Sequence, residues 1–457
     1  MLFKIGAHIA SPRTHESDCV DLLPRNPDGK HISKESCFVI SERLQSNRDS
    51  YSERNARYWR QNLAVCVFGS FTTAVSLTML LPFLPIFVEE LGIKQEASIV
   101  QWSGLAFGAT FLGTGLTAPL WGYLGDKYGR KPMLVRAAIG MAAIMSLIGL
   151  ALNVYQLVLL RLAAGLVGGY ASSSMLLVAI QTPRERAGWA LGVLSTGALT
   201  GNLIGPLVGG VLPNLIGIRN TFFAGGAMIA IAMIATIFLV KEDHREIKPP
   251  PSADDSKAIS QRLQPSVQIV VGAMLATAGL VLLANMSIEP IITVYLEVLK
   301  VPRTRLVLDA GVIMAASAFG SILMAPRLGR LADRIGGWKV ISLCLLASSV
   351  ALIPQAFVTG WWQLGILRFL LGMSLAGLLP SVAKVIRHSV PERQLGKVLG
   401  YSQSSQYAGQ VIGPLMGSAI GAHLGMRSVF LATGAMTLIG AAANWLCQRS
   451  IHERRST

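Results

Sequence analysis

The sequence predicts an all-α membrane protein in which twelve transmembrane helices form two pseudo-symmetric six-helix bundles. Of the 457 residues, 52% are hydrophobic and only 14% charged, whereas soluble domains carry roughly 25% charged residues. Apolar runs of about 20 residues, the length that a helix needs to cross a bilayer, recur from Asn62 to Cys447. The carboxy-terminal half of this apolar region also repeats the amino-terminal half. These three observations together predict the fold class.

Twelve apolar segments are predicted to cross the membrane, and we number them spans 1 to 12. They are residues 62–88, 100–123, 133–152, 154–180, 188–213, 221–240, 267–299, 308–326, 340–358, 361–383, 398–424 and 428–447. The two bundles are then residues 61–240 and 266–448, joined by a polar, Pro-rich cytoplasmic linker at 241–265 and followed by a cytoplasmic tail at 449–457.

Residues 1–60 are polar, low in aromatic residues and without the apolar core of a signal peptide. Such a composition predicts a disordered cytoplasmic tail. No methionine occurs between Met1 and Met79. Alternatively, translation starts downstream of Met1, and the start codon is then one that does not encode methionine.

The formal charge of +16 follows the predicted topology. Basic residues gather before span 1, after the even-numbered spans and at the end of the chain: Arg54, Arg57, Arg60, Lys127, Arg130, Lys131, Arg184, Arg186, Lys241, Arg245, Lys248, Arg327, Arg330, Arg334, Arg387, Arg393, Lys397, Arg449, Arg454 and Arg455. By the positive-inside rule both termini are cytoplasmic. Lys300, Arg303 and Arg305 after span 7 are the exception. The basic excess therefore predicts an inner (plasma) membrane topology and no nucleic-acid partner.

The two halves of the chain match at a nearly constant offset. Arg161 and Gly165 in "LRLAAG" correspond to Arg368 and Gly372 in "LRFLLG", both 207 residues apart. The segments "GIRNTFFAGGAM" at 217–228 and "GMRSVFLATGAM" at 425–436 are 208 apart. Because each half holds six spans and returns to the side on which it began, the halves are parallel repeats. Such an architecture places a substrate site between the halves at the midplane, exposed to each side in turn as the halves rock.

The connection between spans 2 and 3 reads "GYLGDKYGRKPML" at 122–134. Its basic residues keep the loop on the cytoplasmic side, a role that loops in any membrane protein can have. Asp126 can pair with Arg130 or accept a hydrogen bond from a helix N-terminus. The pattern of Gly122, Asp126, Gly129, Arg130 and Lys131 resembles the G-x-L-a-D-r-x-G-r-k motif of the major facilitator superfamily. A weaker copy, "GRLADRIGGWK", lies at 329–339, where the repeat requires it.

Span 5 carries "GNLIGPLVGG" at 201–210. Its glycines recur every four residues and allow close helix approach, and Pro206 can bend the helix. With Gly201, Gly205, Gly209 and Gly210, it resembles the G-x-x-x-G-P-x-x-G-G signature of the superfamily's twelve-helix drug–proton antiporters. The resemblance covers the chain from about Tyr58 onward. It implies the major facilitator fold, export rather than uptake, and a monomer.

Three ionisable residues are candidates for proton coupling: Glu289, Asp309 and Arg161. Glu289 replaces Leu81 of the first repeat, and it lies about 12 Å along span 7 from Glu297 at the outer interface. Intramembrane acids are functional by default. Two structural alternatives are that Glu289 reaches the outer interface, or that it packs against Asn285 or Ser287.

Arg161 resembles the buried Arg of the superfamily's motif in span 4, although Ala164 stands where a Gln is customary. Either a functional role or a tie between helices through backbone carbonyls fits Arg161, and its repeat mate Arg368 favours the structural role. Asp309 lies near the outer start of span 8 and is the weaker acidic candidate.

A substrate cavity is predicted from aromatic and amide side chains at mid-helix positions, since adaptable apolar walls with few fixed hydrogen bonds suit varied amphipathic compounds. The candidates are Phe107, Phe111, Tyr170, Asn202, Asn285, Phe319, Gln403 and Tyr407.

The sequence thus favours export of lipophilic or amphipathic small molecules in exchange for protons. The alternative is transport of one specific metabolite, which would require a cavity with more fixed charges. A membrane enzyme would need clustered catalytic groups, and a receptor would need a soluble output domain; neither is visible. The His and Cys spacings predict no metal site, and no cofactor is expected.

Overall fold

The computed structural model describes residues 58–242 and 264–456. Within these ranges all regular secondary structure is helical. The predicted amino-terminal tail up to residue 57 and linker residues 243–263 lie outside the described residues.

The first bundle follows the predicted order of spans. Span 1 comprises residues 58–78 and Leu84–Glu90, span 2 Glu96–Tyr128, span 3 Arg130–Gly149, span 4 Val154–Val167 with Tyr170–Gln181, span 5 Ala187–Ile216 and span 6 Ile218–Leu239. Spans 1 and 4 are each broken near the middle.

The second bundle repeats this arrangement. Span 7 comprises Pro265–Met286, a 3-10 turn at Glu289–Ile291 and Ile292–Val298; span 8 is Arg303–Ile335, span 9 Gly337–Leu352 with the 3-10 turn Ile353–Phe357, span 10 Trp361–Leu375 with Leu378–Ser389, span 11 Glu392–Leu424 and span 12 Met426–Ser456. Span 12 continues through most of the segment assigned to the carboxy-terminal tail, because a helix can leave the membrane when water solvates its polar end.

Nine of the twelve predicted spans, spans 3 to 10 and span 12, are helices long and apolar enough to cross a membrane within the described ranges. Spans 1, 2 and 11 do not meet that standard, so their crossing stays a prediction. Span 1 is interrupted by turns at 79–83. Spans 2 and 11 carry many small and polar residues, as in "YSQSSQYAGQ" at 401–410, and they pack along each other. Helices buried against protein need less apolar surface than helices facing lipid.

The packing of the helices obeys the repeat. Span 2 packs on span 4 as span 8 packs on span 10, and span 3 on span 6 as span 9 on span 12. A Cβ at Gly165 would collide with the carbonyl of Thr110, and one at Gly372 with the carbonyl of Ser317, again 207 residues on. Between the halves, span 2 contacts span 11 and span 5 contacts span 8. The duplication in the sequence is therefore a duplication of packing.

Among the described residues, contacts between the halves run from one end to about the middle of the helices, where Tyr407 packs at Gly115. The backbones meet where Gly104 approaches Ser418, Gly210 approaches Val307 and Gly311 approaches the carbonyl of Pro206. All three contacts lie toward the end opposite the basic connections, which we call the outer end. Toward the basic end, an added Cβ would meet nothing within 4 Å at Gly188, Gly192, Gly329, Gly396 and Gly400. The space between the halves is thus closed at the outer end and open at the basic end.

Candidate functional site

Two buried arginines occupy equivalent positions in the two halves. Arg161 and Arg368 are each 1% exposed. Nε and Nη1 of Arg161, and Nε and Nη2 of Arg368, have no hydrogen-bond partner among the described residues. A buried guanidinium without acceptors is costly. These donors are therefore available to a counter-charge, a substrate group or water.

Glu289 lies at the break in span 7. The α-helix ends at Met286, and Glu289 opens the 3-10 turn that contains Pro290. Its side chain is half-buried although it lies deep among the helices. Asn285 Nδ2 donates to its Oε1 at 3.4 Å, whereas the Ser287 hydroxyl bonds to Ala284 and Thr433. The carboxyl group of Glu289 is thus partly accessible and accepts one weak hydrogen bond.

Arg368 is the charged group that acts on Glu289. The carboxylate and the guanidinium attract each other, although they form no ion pair within 4.0 Å. The first half has no such partner at the mate of Glu289, because Leu81 stands there and is buried. No ion pair of Arg161 occurs in the described part of the chain. Each half therefore carries the buried arginine, but only the second half carries an acid at the position of Glu289.

Asp309 is buried near the outer start of span 8. Arg305 Nη2 lies 3.5 Å from its Oδ1. Asp309 is therefore held by a cation one helical turn away on the same span.

The outer end is closed by polar contacts between the halves. Arg303 Nη1 lies 3.3 Å from Glu89 of span 1 in the other half, while its Nε lies 3.6 Å from Glu297 of span 7 in its own half. Glu89 and Glu297 are repeat mates, 208 residues apart. The Thr293 hydroxyl donates to the Pro82 carbonyl at 2.8 Å in a buried contact. Arg303 and Arg305, which break the charge rule at this end, thus both pair with acids.

The loop motif is held by a residue that the sequence did not single out. Asp126 pairs with Arg130, as expected. Glu242, at the start of the linker, accepts from the backbone N–H groups of Arg130 at 2.8 Å and Lys131 at 2.6 Å. Span 3 begins at Arg130, so Glu242 caps its N-terminus, where a carboxylate is favoured. The glycines differ: Gly129 has φ +98, which favours glycine, while Gly122 faces open space.

The span 5 motif packs in two directions. A Cβ at Gly201, Gly205 or Gly209 would collide with the backbone or side chains of span 1. Gly210 instead faces span 8, where a Cβ would lie 3.2 Å from the Val307 carbonyl. Pro206 belongs to this second face, since its carbonyl meets Gly311. The motif therefore joins spans 1 and 5 within a half and also closes the outer end between the halves.

The aromatic candidates for the cavity separate into two groups. Phe107 and Phe111 pack edge to face with ring centroids 5.2 Å apart, and Tyr407 of span 11 packs at Gly115 of span 2. Tyr170 is 1% exposed and its hydroxyl lies 2.9 Å from Thr236, inside the first bundle. It is thus a core residue, and we leave it out of the cavity proposed below.

The remaining candidates have accessible surface. Asn202 and Gln403 are exposed, and Asn285 is half-buried beside Glu289. Phe319 is 51% exposed and packs near Phe369 with centroids 6.0 Å apart.

Comparison with known proteins identifies the family. The profile described as Major Facilitator Superfamily matches residues 66–308 and 280–456. The chain is 40% identical over 392 residues to the "Multidrug resistance protein MdtG" of Proteus mirabilis (strain HI4320), covering 86% of this chain and 97% of that protein. It is 38% identical over 399 residues to the MdtG of Citrobacter koseri (strain ATCC BAA-895 / CDC 4225-83 / SGSC4696), covering 87% and 97%.

Solved structures support the fold. A bacterial homologue of the human lysosomal transporter Spinster, in an inward-facing and unoccupied conformation, superposes with a TM-score of 0.69 at 16% identity, over 87% of this chain and 98% of that one. A D-xylose–proton symporter gives 0.68 at 15% identity, over 85% and 97%. With its two repeated bundles and these matches, this chain belongs to the Major Facilitator Superfamily and is a multi-pass membrane transporter, not an enzyme.

Proposed function

We propose that this transporter exports lipophilic or amphipathic compounds across the plasma membrane in exchange for protons. The observation that carries the proposal is the carboxyl group of Glu289, placed at the break of span 7 and under the attraction of Arg368. The names of the MdtG relatives and the span 5 signature favour multidrug export. The basic end is taken as cytoplasmic, with both termini inside.

Alternating access follows from the packing. With the halves joined at the outer end, the space between them opens to the cytoplasm, and a compound enters there beside Phe111, Asn202, Asn285, Gln403 and Tyr407. In this state the half-buried carboxyl group of Glu289 releases its proton to the cytoplasm. When the halves rock and open the outer end, the compound leaves and an external proton reaches the carboxylate.

The driving force is sufficient for such exchange. One proton moving inward gains ~2.3 kcal/mol per 100 mV of membrane potential. At ~1.4 kcal/mol per factor of ten, that sustains a gradient of roughly fifty-fold for a neutral exported compound. No direct contact between compound and proton is needed if both alter the same cavity.

Other candidate residues have supporting roles in this proposal. Asp309, already paired with Arg305, adds a second acidic group near the outer end. Arg161 organises the first half, in which we identify no acid facing it. The loop residues Gly122, Asp126, Gly129, Arg130 and Lys131 control the basic end as it opens and closes.

A second candidate function is transport of one anionic metabolite. The unpartnered donors of Arg161 favour it, because a guanidinium binds carboxylate or phosphate well. Loss of anion transport in Arg161→Gln, together with a wild type that does not transport a neutral lipophilic dye, would support this function. Transport of anions by Arg161→Gln at the wild-type rate would count against it.

The test of proton coupling is transport by Glu289→Gln in proteoliposomes under an imposed pH gradient. Glu297→Gln is the matched control, since it removes a carboxylate from the same span at the outer end. We expect Glu289→Gln to lose accumulation driven by the pH gradient and to keep exchange of labelled for unlabelled compound, which needs no net proton movement. Accumulation at the wild-type level in Glu289→Gln would refute the assignment.

A further inference from the structure

A crevice outside the space between the halves separates spans 1 and 5 near the basic end. It has a volume of about 1090 Å³, and its walls are mainly apolar. Trp59 and Phe68 of span 1 and Trp189 and Val193 of span 5 line it, with Arg60 and Arg186 at the end nearest the basic connections. None of these residues belongs to the proposed transport site.

Divergence of the two helices creates the crevice. At Gly197 the spans touch, because a Cβ there would lie 2.9 Å from Val67. From there toward the outer end the spans stay in contact, since a Cβ at Gly201 would lie 2.6 Å from the Cβ of Ala74. The crevice is therefore a wedge that narrows toward the middle of the membrane.

The wedge opens toward lipid. Trp189, Val193 and Thr200 follow one another on one face of span 5 at helical spacing, and the exposed Leu207 and Val211 continue that face to the outer end. The halves are in contact at the outer end, so a face that is still exposed there points away from the partner half. Pro206 and Gly210, which do contact the other half, lie on a different face.

The dimensions match one leaflet. Arg60 and Phe71 are eleven residues apart on span 1, which is ~17 Å along a helix. Half of a hydrocarbon core of ~30 Å is ~15 Å. The crevice thus runs from the headgroup level to about the bilayer centre.

The chemistry of its mouth suits an anionic headgroup. Arg60 and Arg186 are both exposed, and neither forms an ion pair with an acid within residues 58–242 and 264–456. Trp59 and Trp189 meet edge to face with centroids 6.3 Å apart, and Trp189 is 62% exposed. Tryptophan is enriched at the membrane interface, and basic pockets between spans on the cytoplasmic side bind acidic lipid headgroups.

We propose that this wedge is a binding site for an anionic phospholipid of the inner leaflet. Arg60 and Arg186 hold the phosphate, and an acyl chain lies along Phe68 and Val193. Only the leaflet assignment rests on the proposed function, through the orientation adopted there. Lipid binding itself requires neither drug nor proton transport.

The experiment uses the full chain purified in a non-ionic detergent and titrated with phosphatidylglycerol or phosphatidylcholine carrying brominated acyl chains, which quench tryptophan fluorescence. At roughly five-fold in affinity per basic residue near an acidic headgroup, we expect about thirty-fold tighter binding of phosphatidylglycerol. Arg60→Gln and Arg186→Gln each lose about five-fold. Arg327→Gln, an exposed arginine toward the basic end of span 8, is the control and stays unchanged.

Trp189→Phe locates the bound lipid, because the extra quenching by phosphatidylglycerol should fall in this variant while its affinity stays within two-fold. The proposal is overturned if the double variant Arg60→Gln/Arg186→Gln binds phosphatidylglycerol as wild type does. It is also overturned if Arg327→Gln weakens binding equally, or if the extra quenching persists undiminished in Trp189→Phe. Because the titration involves no transport, a failure of the proton-coupling test leaves its outcome unaffected.

Discussion

Closure of the outer end depends on the absence of a side chain at Gly311. A Cβ at this position would collide with the Pro206 carbonyl and lie 3.1 Å from the Cα of Gly210. These neighbours are backbone atoms, which cannot rotate away, so Gly311→Ala must separate spans 5 and 8. Overpacking of this kind costs about 1–3 kcal/mol. The cost arises only while the halves touch at this end.

Gly311→Ala should therefore shift the population toward the outward-open state by about 5- to 150-fold. Ser418 offers a reporter position, since it is buried at the other contact between the halves, opposite Gly104. In right-side-out vesicles, the reporter variant Ser418→Cys should react with a membrane-impermeant maleimide at a rate proportional to that population. Protein that retains Ser418 gives the background rate.

Gly372→Ala is the matched control. Its Cβ would collide with the Ser317 carbonyl, a contact between spans 8 and 10 within one half. This variant should lower thermal stability and leave the labelling rate within two-fold of wild type. Equal labelling rates in Gly311→Ala and wild type would refute the assignment of the Pro206–Gly311 contact to the closed outer end.

Three further predictions follow from individual contacts. Arg303→Gln removes the pair with Glu89, which joins the halves, and the pair with Glu297, which lies within the second half. An exposed pair contributes at most ~1 kcal/mol, so loss of the pair with Glu89 should raise labelling of the Ser418→Cys reporter about two- to five-fold and remove its dependence on salt. An unchanged salt dependence would contradict this role. Glu242→Gln should lower the free energy of unfolding by about 1 kcal/mol, because it removes the charge that caps the N-terminus of span 3. Glu242→Asp should lie between this variant and wild type in thermal unfolding. Equal melting temperatures for all three proteins would argue against the cap. Tyr170→Phe should lower the free energy of unfolding by ~1 kcal/mol, because the hydrogen bond to Thr236 is lost. The set of exported compounds should stay unchanged in susceptibility assays. An altered set would place Tyr170 at the cavity.

Much of the fold could be predicted because the two halves of the sequence match at a nearly constant offset. The offset of 207 places Arg161 over Arg368, and the structure packs Gly165 and Gly372 against equivalent carbonyls. The glycine period in span 5 indicated a face for close approach, and that face does contact span 1. Periodicity and repetition are local properties, so one chain suffices to read them.

The partners of the site residues could not be predicted in the same way. Glu242 lies 112 residues from Arg130, and nothing local shows that the start of the linker returns to the loop between spans 2 and 3. The attraction between Arg368 and Glu289 likewise joins two spans that are distant in sequence. Tyr170 had the residue type of a cavity wall, but only packing shows that its hydroxyl faces Thr236.

The modest apolarity of spans 2 and 11 bears on how the chain enters the membrane during synthesis. Segments rich in Gly, Ser and Gln partition weakly from the translocon into lipid, because insertion is decided by the transfer free energy of each residue. Span 11 is made after its partner span 7, so it can enter the bilayer against a helix already in place. Span 2 precedes its partner span 4, and we therefore expect its final integration to await the synthesis of that helix.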